Sequence, residues 1–193
     1  MPISKAGKIV IGALATGGVS GAGAYLHHIL TKPTIKDKLE GTLIGKDETS
    51  IWQARVTKLT SDNAIISETL KAINSGGDNK ATKIQNWCEI NLRNTFISEE
   101  NKGFKEIQKY CAYNIKEKAG TVIEINSWDN TRNNAKLKDQ TNNIQLSPSM
   151  SKVKSELTSK QDALKEWCKE VYEKPFKGEK DQDYLDTKAY CVA

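Results

Sequence analysis

Small and apolar residues run from Ile9 to Leu30 without a formal charge, a stretch of 22 positions between Lys8 and Lys32. A helix of that length rises about 33 Å, enough to span a hydrocarbon core of about 30 Å. Residues 1–34 are therefore expected to form a membrane anchor or a signal segment. An uncleaved anchor is preferred, because Tyr25, Leu26, Ile29 and Leu30 carry the run past Ala22-Gly23-Ala24, the small-x-small form that signal peptidase accepts. His27 and His28 are adjacent, so on a helix they diverge by about 100° and cannot face one metal together.

Beyond this run the apolar positions take helical spacing. Ile84, Trp87, Cys88 and Leu92 fall on one stripe, as do Leu164, Trp167, Cys168, Val171 and Tyr172. Breakers follow, clearest in Lys174-Pro175-Phe176-Lys177-Gly178, and a second helix is expected to carry Phe104, Ile107, Tyr110 and Cys111, or Tyr184, Lys188 and Cys191. Trp52, Val56 and Leu59 predict a helix from about Ser50. Residues 61–73 read as one helix, residues 130–143 as a loop-rich stretch, and a helix follows from about Ser149.

These segments recur. Ile35-Lys36-Asp37-Lys38 returns as Ile115-Lys116-Glu117-Lys118, Trp87-Cys88 as Trp167-Cys168, and Tyr110-Cys111 as Tyr190-Cys191, each eighty residues on. The pattern predicts a mainly α fold: an N-terminal membrane helix, then two tandem repeats of a cysteine-bearing helical hairpin, at 35–114 and 115–193. Residues 41–44 and 120–125 are short and β-branched, and either pair as small β segments or lead into helices.

The two cysteines within each unit are 23 residues apart. Four cysteines allow three pairings, and the repeat favours Cys88 with Cys111 and Cys168 with Cys191. Such a closure would add roughly 3 kcal/mol in the chain-entropy model. Four reduced, buried cysteines and a four-Cys zinc site are the alternatives; the latter lacks any C-x-x-C pair. Trp52, Trp87, Trp128, Trp167, Tyr110 and Tyr190 are read as core anchors.

Composition narrows the chemistry. The chain holds 29 Lys and Arg against 24 Asp and Glu, yet only Arg55, Arg93 and Arg132 are arginines. The signs alternate along the chain, which fits a solvated surface and argues against nucleic acid as a partner. No histidine follows His28, so Ser-His-Asp and Cys-His arrangements are not available, and no P-loop, G-x-G-x-x-G or H-E-x-x-H motif occurs. No catalytic residue, cofactor or metal site is expected; a carboxylate-based hydrolase is the least favoured alternative.

The apolar N-terminus, the stretch Glu166-Trp167-Cys168 to Lys174-Pro175-Phe176-Lys177-Gly178-Glu179, the Ala189-Tyr190-Cys191 end and Lys109-Tyr110-Cys111 resemble the lineage-specific paralogous families of haemotropic mycoplasmas. The first copy departs from the pattern, with Phe96-Ile97-Ser98-Glu99 in place of Phe176-Lys177-Gly178-Glu179. The resemblance implies a membrane-associated, surface-exposed protein with no assigned activity. The expected function is an interaction or antigenic module in the cell membrane, single-pass with its bulk extracellular. Its partners would be the membrane and a host surface protein, with the oligomeric state left open. A secreted structural or accessory protein, released after signal cleavage, is the alternative.

Overall fold

Seven of the ten α-helices among the described residues start after a short polar side chain that satisfies a free backbone N–H. Thr34 and Asp37 form a capping box around α1 (Ile35–Lys38), and Asn114 and Glu117 form one around α6 (Ile115–Ala119). Ser67 accepts from Leu70 N–H at the start of α3 (Glu68–Ser75), as Ser147 accepts from Met150 N–H before α8 (Pro148–Glu156). Asn101 and Asp181 do the same for α5 (Lys102–Cys111) and α10 (Gln182–Tyr190). The remaining helices are α2 (Thr49–Ser61), α4 (Lys80–Asn91), α7 (Asn130–Lys138) and α9 (Ala163–Tyr172), with a 3₁₀ turn at Ile125–Ser127.

This computed structural model describes residues 32–139 and 145–193. The expected membrane segment at residues 9–30 lies outside the described residues. No helix among those described is long and apolar enough to cross a membrane. The fold is mainly helical, with two disulfides and no sheet among the described residues.

The β-branched stretches settle between the two expected alternatives. Each makes one isolated antiparallel bridge to the residue after a cysteine, Leu43 with Ala112 and Val122 with Val192. Ile44 N–H donates to Cys111 O at 3.0 Å, and Ile123 N–H to Cys191 O at 2.8 Å. Gly41 and Gly120 turn the chain into these bridges with φ of 74° and 94°, where a Cβ would strain the backbone. A second bridge joins the start of each half to the loop after its first cysteine helix, Thr34 with Thr95 and Asn114 with Pro175.

The buried side chains form two clusters. One gathers Leu59, Leu70, Ile84, Trp87, Ile107 and Tyr110; the other gathers Ile115, Leu137, Met150, Leu164, Cys168 and Val171. Each fully buried aliphatic chain contributes about 1.5–3 kcal/mol. Residues Pro33–Ala193 pack as one unit around both clusters.

The helical pattern misled in four places. Residues 61–73 are not one helix: α2 stops at Ser61, and Asp62 turns the chain by accepting from Ala64 N–H at 3.0 Å before Ser67 caps α3. Residues 130–138 are helical rather than loop, because Asp129 caps the segment and Asn134 Nδ2 donates to Gln161 O at 2.8 Å while Leu137 is fully buried. Lys188 is exposed; Asp186, Thr187 and Tyr190 form the buried face of α10. Trp128 and Trp167 are only half-buried against the second cluster, whereas Trp52 and Trp87 belong to the first.

Candidate functional site

Helix α4 presents Cys88 and helix α5 presents Cys111 on their buried faces, and α9 with the C-terminal end of α10 does so for Cys168 and Cys191. Cys88 is bonded to Cys111 with a Cα separation of 5.6 Å, and Cys168 to Cys191 with 5.9 Å. Both separations lie within the ordinary disulfide range. All four sulfurs are thereby committed, so neither the reduced arrangement nor a four-Cys zinc site describes this chain. No group of three or more His, Cys, Asp or Glu able to hold a metal occurs among the described residues.

The aromatic residues brace these bridges. Trp87 packs edge-on to Tyr110 at 6.4 Å, and its indole N–H donates to Ser67 Oγ at 3.1 Å. Trp52 Nε1 donates to Gly45 O at 2.8 Å, whereas Trp128 Nε1 is buried without a partner among the described residues. Tyr190 is 6% exposed, and burial followed by the nearby Asp186 charge pushes its hydroxyl upward.

A polar cluster lies beside Tyr110. Lys109 and Tyr110 both donate to Asp62 Oδ2, the latter at 2.6 Å. Burial opposes the charge on Asp62, but the hydrogen bonds from Lys109, Tyr110 and Ala64 N–H prevail and hold its carboxyl at about 2. Burial and the same carboxylate push Tyr110 far above the usual phenol range. Nearby Glu106 accepts from the backbone N–H groups of Ile66 at 2.6 Å and Ser67 at 3.0 Å, fixing the segment that leads into α3.

The two halves meet at a residue pair that the apolar pattern did not single out. Arg55 on α2, 2% exposed, donates through Nη1 and Nη2 to both carboxylate oxygens of Glu117 at 2.7 and 2.8 Å, and through Nη2 to Ala112 O at 2.7 Å. Such a two-pronged contact fixes direction as well as distance. A signal existed: Arg55 shares the stripe of Trp52 and Leu59, and Asn114-x-x-Glu117 is a capping-box spacing. Glu117 therefore serves two elements, since it also accepts from Asn114 N–H at 2.8 Å.

A groove of about 530 Å³ opens along this junction, with Lys58, Lys109, Tyr113, Glu173 and Pro175 on its walls. Of its three carboxylates, Glu173 pairs with Lys58 at 2.9 Å and Glu100 with Lys105 at 2.5 Å, while Glu99 is exposed on the wall. The hydrogen bond and charge of Lys105 hold the Glu100 carboxyl below its usual range. Glu173 and Glu100 are thus charge partners of lysines on a solvated surface. Arg55 and Glu117 fix α2 against α6. Comparison with protein-family models, with curated proteins and with solved structures finds no match to this chain.

Proposed function

We propose that this chain is a single-pass membrane protein that displays two copies of one disulfide-stapled helical unit outside the cell, as an interaction or antigenic module without catalysis. The observation that carries this reading is the pair of buried disulfides, one closed within each half. Disulfides form and persist in oxidising compartments, and small extracellular domains use them where the apolar core is modest. The apolar run at residues 9–30 supplies the anchor in this reading.

Duplication is supported by contacts that recur at one step of eighty residues. Phe96 packs edge-on to Phe104 at 5.1 Å, and Phe176 to Tyr184 at 4.9 Å. Lys38 lies over the Phe96 ring, and Lys118 over Phe176. Ile35 N–H donates to Asn94 O, and Ile115 N–H to Lys174 O. The resemblance to haemotropic-mycoplasma paralogues fits the same picture. Surface proteolysis of intact cells tests it: residues 33–193 should be lost from the membrane fraction without lysis. Retention until the cells are broken would place the units inside, and recovery from the medium with Tyr25 as first residue would favour the secreted alternative.

A further inference from the structure

The two halves differ at one position in a way that opens a cleft in the first. In the second half Tyr172 is 3% exposed, and its hydroxyl lies 2.9 Å from Ile123 O and 2.8 Å from Cys191 O. Eighty residues earlier the same stripe position is Leu92, which has neither ring nor hydroxyl. Beside Leu92 is a cleft of about 400 Å³, walled by Leu43, Ile44, Trp52 and the Cys88–Cys111 bridge. The space that Tyr172 takes up in one half is thus left open in the other. A volume of this size is within the range of small-molecule sites.

The rim differs too. Lys36, Lys46 and Arg93 bring three positive charges to the cleft. Glu89 lines it as well and pairs with Lys46. Lys36 and Arg93 are exposed and have no carboxylate within ion-pair distance among the described residues. In the second half the counterpart of Lys36, Lys116, lies 5.9 Å from the Tyr172 ring, and the counterpart of Arg93 is Glu173. An apolar floor under a net positive rim matches a ligand with an apolar body and one negative group.

We propose that this cleft binds a small organic anion, a carboxylate or sulfonate on an aromatic or short aliphatic body. The apolar part rests on Leu43, Ile44, Leu92 and the Trp52 ring, and the anionic group meets Arg93 and Lys36 at the mouth. The site does not depend on where the chain is displayed. The test is isothermal titration of the full chain in lipid nanodiscs, against empty nanodiscs, with naphthalenesulfonate as probe and naphthalenemethanol as its neutral counterpart. The wild-type chain should bind one sulfonate saturably and the alcohol more weakly. Leu92→Tyr should abolish binding without lowering the melting temperature, because the new ring fills the cleft as Tyr172 fills its own. Arg93→Glu, at an exposed position, should weaken binding at least about tenfold. No saturable heat above empty nanodiscs, or an affinity unchanged in either variant, would overturn the proposal.

Discussion

Trp87 and Trp167 occupy matching places in the sequence, yet their surroundings differ. Trp87 is 5% exposed and hydrogen-bonded to Ser67, while Trp167 is half-buried. Trp87→Ala should therefore cost about 3–5 kcal/mol by opening a cavity, and Trp167→Ala only about 1–2 kcal/mol. Chemical denaturation of the two variants measures both, and equal losses would refute the difference in burial. Asp62 gives a prediction in pH. Its folded carboxyl is held at about 2 against an ordinary 3.8, so the charged form contributes stability above the ordinary value. That contribution fades as pH falls from about 4 through about 2. The stability gap between the wild type and Asp62→Asn should be full near neutral pH and close across that window; a gap independent of pH would contradict the hydrogen bonds assigned to Asp62.

At the scale of elements, the helices that carry cysteines were legible in the sequence because their apolar residues fall on one stripe. Residues 84, 87 and 88 on α4 and residues 164, 168 and 171 on α9 are buried as that stripe requires. Helix α7 was not legible. Its buried face is Asn133, Asn134 and Leu137, so polar side chains take places that hydrophobic periodicity assigns to apolar ones. The break at Asp62 was hidden for a related reason: beyond its local turn to Ala64, Asp62 is held by Lys109 and Tyr110, 47 and 48 residues away, which no local pattern contains. The cleft beside Leu92 was also invisible, since a missing ring leaves no mark in periodicity. For the hairpin α9–α10, Cys168→Ala should cost about 2–4 kcal/mol by releasing the loop to Cys191 in the unfolded state. The double variant with Cys191→Ala should be no worse than either single, and strictly additive losses would contradict the bond's energetic role.

For the whole molecule, Arg55 with Glu117 is the most enclosed of the contacts that cross between the halves, beside Lys58 with Glu173 and Phe176 N–H with Tyr113 O. The pair is enclosed, so removing one partner strands a charge away from water. Arg55→Met should cost roughly 3 kcal/mol, with Glu117→Gln beside it restoring part of the loss, because the stranded carboxylate is then gone. A double-mutant cycle with no coupling would mean that this pair does not contribute to holding the halves together. Surface display rests in turn on the two disulfides existing in the cell. The most direct measurement is to alkylate thiols in intact cells with a membrane-permeant maleimide before lysis, then map the peptides of the purified chain by mass without reduction. Display outside the cell predicts unalkylated chains in which Cys88 is linked to Cys111 and Cys168 to Cys191. Recovery of the four cysteines as maleimide adducts would contradict it.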